Sequence, residues 1–174
     1  NDQDVWKIPL IMTINGEKKT ILMTEKSMTL EDDIPENVVI NVNKEASSFI
    51  RVKYSKELLN RLLSEENKKY LSPTDLRAIQ NDIYFLGSQQ IGGYTLADWL
   101  NLIFDWYLKN AALDGALFQD IFRILNKLSP IINKLGLSDK YGQKIEEFCL
   151  KYWDSHICNH SLLHSLKTYL CAHT

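Results

Sequence analysis

Along the first 54 residues, apolar positions alternate with polar ones or fall in short β-branched runs. From Ser55 onward they recur every three or four residues. Val5–Met12 reads as a strand, with Pro9 confining it to an edge or a bulge. Asn15-Gly16 is the dipeptide that a tight type I′ hairpin favours, and Thr20–Thr24 is its returning partner. Asp32–Asn37 reads as loop, and Val38–Val42 and Phe49–Tyr54 as two further strands. About four antiparallel strands are thus expected.

Beyond residue 55 the pattern is helical. Ser55 is an N-cap for a helix with Leu58, Leu59, Leu62 and Leu63 on one face. Ser72-Pro73-Thr74-Asp75 combines a cap, a proline at the first helical position and an acid in the first turn. Leu76, Ile79, Ile83 and Leu86 then form the apolar stripe, with Gly87 as the stop. Thr95–Asp98 opens another helix in the same way, and Trp99–Leu108 is apolar almost all round, so it should lie deepest. Helices are further expected at about 114–128 and 130–135, split by Ser129-Pro130 and closed by Gly136, then at 140–153 and 159–172. The fold class predicted is α+β: a partial antiparallel β-sandwich over residues 1–54, then an α-helical solenoid or bundle of antiparallel helix pairs over 55–174. No sequence repeat of fixed period is visible.

Composition narrows the class of function. The chain has 174 residues, 45% hydrophobic and 24% charged, which is ordinary core-forming material. A net charge of −2 with interspersed signs argues against a nucleic-acid or anionic-membrane surface. No apolar run approaches the roughly 20 residues that span a bilayer. The acidic, polar start Asn1–Asp4 is not a signal peptide, and without an initiator Met it reads as cut from something longer. Cys149, Cys158 and Cys171 form an odd set without metal-type spacing, so a reducing, cytoplasmic compartment is favoured, with the endoplasmic-reticulum lumen and the extracellular side left open.

Three blocks, in order, carry a resemblance. Trp6-x-Ile8-Pro9-Leu10 is similar to the strand opening of the third domain in gluzincin zinc aminopeptidases, the aminopeptidase N, puromycin-sensitive, endoplasmic-reticulum and tricorn-interacting-factor types. Asn41-Val42-Asn43-Lys44 followed by Ser48–Tyr54 resembles a second motif of that domain. Leu71–Asp75 followed by Asn81-Asp82 resembles the start of the fourth, helical domain. The blocks cover roughly residues 6–90. Ser48 and Ile50 depart from the usual Gly and Tyr, and Leu76 holds the usual Arg position, with Arg77 after it.

The resemblance implies a third-domain-like partial sandwich at 1–54 and the N-terminal part of the helical C-terminal domain at 55–174. It implies that zinc and the catalytic glutamates belong to an upstream catalytic domain of the same protein, whose helical domain encloses a cavity for peptides. This chain has no His-Glu-x-x-His, the motif that sets two imidazoles one helical turn apart on a metal with a glutamate as base. It should therefore be inactive alone, with no catalytic residue, no metal ligand and no cofactor of its own. Its partners would be peptides and the catalytic domain, not nucleic acid or membrane. Strands missing from the sandwich would leave an open edge, so the isolated chain is expected to show a strand-mediated homodimer, a swapped segment or a mobile β-region beside an ordered helical array.

His156, His160 and His164 recur every four residues, with Cys158 and His173 nearby, and would share a face in one continuous helix. Ser161 as an N-cap leaves His156 in a loop and breaks the row, so exposed polar histidines are the simpler reading. Arg51, near Tyr54, reads as a structural ion pair, with a substrate contact as its rival. Glu65–Lys69 is a solvated helix end, and Trp99, Phe104, Trp106 and Tyr107 are core. A second function also fits the pattern: a free-standing helical module that holds a partner peptide on a concave surface.

Overall fold

The computed structural model describes residues 6–30, 35–107, 109, 115–134 and 136–156, and of residues 138 and 149–156 the backbone alone. The expected helix at 159–172 and the acidic loop's residues 32–34 lie outside them. The fold is α+β: a three-stranded antiparallel sheet followed by five α-helices among the described residues. The chain divides into two compact units, Asn1–Trp99 and Leu100–Thr174.

In the first unit, β1 (Ile8–Ile14) and β2 (Glu17–Met23) pair from Ile14↔Glu17 to Ile8↔Met23. The two-residue loop between them is the expected type I′ turn, with φ of 51° at Asn15 and 87° at Gly16. Gly16 also lies against the ring of Tyr70, where a β-carbon has no room. Asn15 fastens the turn end of the hairpin to Val39: its N–H donates to the Val39 carbonyl at 2.8 Å, and its Oδ1 accepts from Val39 N at 2.9 Å. β3 (Ile40–Asn41) pairs only with Thr13 and Ile14, giving the sheet order β2-β1-β3.

Two strand expectations need correction. Val38–Val42 shortens to the two residues of β3, and Phe49–Tyr54 forms no strand at all. The backbone of the latter bonds to its own loop and to a helix carboxylate instead of a neighbouring strand. Pro9 behaves as an edge residue although β1 is the central strand. β3 stops short of it, and on that side the Pro9 carbonyl accepts the Ser48 hydroxyl.

Helices α1 (Lys56–Leu62), α2 (Pro73–Ser88) and α3 (Leu96–Asn101) begin where the caps place them. Ser55 Oγ accepts from Leu58 N at 3.2 Å. At α2, Ser72 and Asp75 form a reciprocal capping box, and Thr95 and Asp98 repeat it at α3. α2 runs one residue past Gly87, which is buried because the Thr95 carbonyl passes where its β-carbon would be. The core of this unit includes Val39, Val52, Leu62, Ile79, Ile83, Leu86 and Trp99. Trp99 is fully buried, donates its indole N–H to Gln80 Oε1 at 3.1 Å and meets Tyr84 edge-on at 5.5 Å.

The second unit departs from plain α-helix at once. Leu102–Tyr107 is a π-helical segment continuous with α3, burying Ile103, Phe104 and Tyr107 and leaving Trp106 half-buried. Helix α4 (Gly115–Lys134) passes straight through Ser129-Pro130, so the expected split is absent. A proline forfeits one backbone bond in a helix interior. Here eight apolar residues and Ser129 of the same helix are buried, and that packing holds the helix through the gap. Gly136 does close it: Leu137 N bonds to Ile132 O and Gly136 N to Asn133 O, a Schellman motif. Helix α5 (Ser138–His156) packs on α4 through Phe118 and Phe148, with ring centroids 5.4 Å apart. Tyr141 stacks on Phe104 of the π segment at 6.2 Å.

Replacing Trp99 by Ala should therefore destabilise the chain by about 3–5 kcal/mol, the cost of deleting a fully buried aromatic. The same change at Trp6, 84% exposed, should stay within about 0.5 kcal/mol. Denaturant melts of both variants measure the two losses, and equal losses would contradict the burial order.

Candidate functional site

Asp75 and Asp82 lie seven residues apart on α2, two helical turns or about 10.5 Å along its axis. Each takes one side-chain cation and one backbone N–H from the segment after β3. Lys44 Nζ donates to Asp75 Oδ2 at 2.5 Å and Glu45 N to Asp75 Oδ1 at 2.6 Å. Arg51 Nη1 donates to Asp82 Oδ1 at 2.9 Å and Val52 N to Asp82 Oδ2 at 3.0 Å. The donor pairs 44/45 and 51/52 are also seven residues apart, and the segment runs in the same direction as the helix.

Seven extended residues span roughly 23 Å, twice the distance between the two acids. The segment must therefore shorten, and it does so in two ways. A 3₁₀ turn at Lys44–Ala46 carries positive φ at Glu45 (57°) and Ala46 (50°), a left-handed conformation unusual without glycine. The next turn is gathered by Asn43, whose Oδ1 accepts from Ser48 N at 2.9 Å and whose Nδ2 donates to Ser48 O at 3.0 Å. This shortening is why no strand forms at residue 49.

The two acids have different electrostatics. Burial pushes both carboxyls up. At Asp75 it is outweighed by Lys44 and by the Glu45 and Ser72 amides, so this carboxyl sits below its ordinary value. At Asp82 the Val52 amide and Arg51 do not fully offset burial, and the carboxyl stays above its ordinary value. Tyr54 closes the inner end of the segment. Its hydroxyl accepts from Val42 N at 2.9 Å, and burial pushes its pKa up to about 12, with Asp82 and Asp75 adding to the rise. Tyr94 OH donates to the Tyr54 carbonyl at 3.1 Å.

Outside this clamp, between the segment and α2, opens a pocket of about 280 Å³. Ala46, Ile50 and Ala78 supply apolar wall, Phe49 and Arg51 the rim, and Asn81 an amide. Phe49 is fully exposed, and Arg51 lies 5.1 Å over the ring of Phe85 with about half its side chain in solvent.

The structural ion pair expected of Arg51 is found, with Asp82 as its partner. Asp75 and Asp82 were legible as helix-start and motif residues, but their hold on residues 44–52 was not. An acid at N3 of a capped helix, with lysine or arginine about 30 residues earlier, was the available signal. His156 ends α5 within the helix, not in a loop as expected, while Cys158, His160, His164 and His173 lie outside the described residues. Among the described residues no cluster of histidine, cysteine or acid side chains has metal-binding geometry, and no helix is long and apolar enough to cross a membrane. No protein-family profile matches the sequence, and no curated protein matches it.

Asp75→Ala should cost about 3 kcal/mol or more, because it leaves the Lys44 ammonium and the Glu45 N–H without their acceptor and removes half of the capping box. The pH dependence follows from the direction of each shift. Asp75 binds its proton less readily folded than unfolded, so its stabilisation is complete above pH 3.8 and drains away as pH falls below that value. Asp82 is raised and acts oppositely, losing stability as pH rises from 3.8 through its folded value. Urea melts across pH 2–6 should show the acid-side loss disappear in Asp75→Asn, and the decline above pH 4 disappear in Asp82→Asn.

Proposed function

We propose that this chain is a non-catalytic portion of a zinc-dependent aminopeptidase of the gluzincin type. In this reading it joins the end of a β-domain to the start of the helical domain that helps enclose the active-site cavity and accommodate peptides. One observation carries the reading. The residue blocks that resemble that family are mutual contacts here. Lys44, Arg51 and Val52 from the second block meet Asp75 and Asp82 from the third, and Ser48 of the second donates to Pro9 of the first. Motif residues scattered over some 75 positions thus serve one joint between a strand-derived segment and a capped helix.

The division of labour follows from the side chains. Both acids that anchor the joint are engaged by cations and backbone amides, so neither acts as a free general base. In the proposed enzyme the metal and the base reside in the upstream catalytic domain, and this portion supplies wall and spacing. Its immediate partners are then that domain and the peptide within the cavity.

Purified alone, the chain should hydrolyse no aminoacyl-coumarin substrate and retain no stoichiometric zinc after dialysis. The native protein decides the larger reading. Peptide mapping of the polypeptide carrying this sequence should find a His-Glu-x-x-His segment upstream in the same chain, together with bound zinc and aminopeptidase activity. A native polypeptide of only 20.2 kDa would overturn the proposal and leave the free-standing peptide-holding module.

A further inference from the structure

The pocket between residues 46–51 and α2 has a use that the clamp does not explain. Its wall is apolar at Ala46, Ile50 and Ala78, and it is open to solvent. At its edge stands one cation. Arg51 spends one N–H on Asp82 and rests against Phe85, and about half of its side chain remains exposed. A guanidinium has five N–H donors in a planar fork, the geometry that grips a carboxylate through two parallel bonds. Asp82 also lines the pocket and holds Arg51 Nη1 with one oxygen and Val52 N with the other, so an incoming carboxylate has to use the remaining guanidinium N–H donors.

The pocket is also held in shape. The Ser48 amide and carbonyl are pinned by Asn43, its hydroxyl by Pro9, and Ile50 N by the Ser48 carbonyl. The wall formed by Ala46 and Ile50 therefore keeps its position against Ala78 without a ligand, and little ordering remains to be done on binding. Phe49, fully exposed on that fastened loop, offers a ring at the mouth.

We infer that this pocket binds an aromatic or branched-chain carboxylate, the apolar group lying against Ala46, Ile50 and Ala78 and the carboxylate on the Arg51 fork. The apolar wall supplies affinity by covering the ligand's hydrocarbon surface, and Arg51 supplies selectivity for the charged form. The assignment stands whether or not the chain belongs to an aminopeptidase.

The probe is N-acetyl-L-phenylalanine, with its uncharged amide as control, titrated into the ¹⁵N-labelled full chain. Saturable shifts are expected at the amides of Ile50, Ala78 and Asn81, with the amide control binding at least tenfold more weakly. Arg51→Gln should abolish the preference for acid over amide, Arg51→Lys should retain part of it, and Ala78→Trp should fill the pocket and remove binding of both. Equal affinity for acid and amide, or no saturable shift in these residues, overturns the inference. That comparison is made on the unmodified chain, so it decides even if Arg51→Gln fails to fold for want of a partner to Asp82. Ala78→Trp, which leaves the ion pair intact, then locates the site.

Discussion

Two carboxylates on one helix set the geometry of the first unit. Asp75 and Asp82 offer acceptors about 10.5 Å apart, and the segment from Lys44 to Val52 has to fold up to reach both. The left-handed residues at 45 and 46, the turn gathered by Asn43 and the missing fourth strand all follow from that match of lengths. So does the pocket, which is the space left between the shortened segment and the helix. The acids differ in how well burial is compensated, so the joint is strong at its Asp75 end and electrostatically expensive at its Asp82 end.

The elements most legible in the sequence were those whose signal is local. Asn15-Gly16 dictates its turn whatever surrounds it, and Ser55, Ser72 and Thr95 cap their helices with atoms three residues away. The misreadings came where distant partners overrule local preference. Phe49–Tyr54 has the β-branched and aromatic composition of a strand, yet its backbone finds Asp82, 30 residues on, before it finds a sheet. Pro130 looks like a helix boundary, but buried residues on both sides of it in α4 keep the helix whole. The buried acids themselves resembled ordinary N-terminal and surface charges, because nothing local marks a carboxylate as enclosed.

Local cap chemistry predicted where α2 starts. The acid that caps the helix also receives Lys44 and the Glu45 amide. A residue that serves as cap and anchor together tolerates few replacements, since asparagine keeps part of the cap but none of the charge. Lys44 and Arg51 are the cations on the two anchoring acids, Asp75 and Asp82.

The sequence separation of the clamp bears on the order in which the chain takes shape. The hairpin closes through a two-residue loop, so it forms on the microsecond scale as soon as Met23 is available. Lys44 and Arg51 each wait for a carboxylate 31 residues further on. At synthesis rates of about 5–20 residues per second, that wait lasts on the order of seconds. Throughout it the segment has the makings of a strand, and the β1 edge beside it pairs with β3 at Thr13 and Ile14. Extended pairing at that edge would compete with the clamp until α2 supplies its two carboxylates.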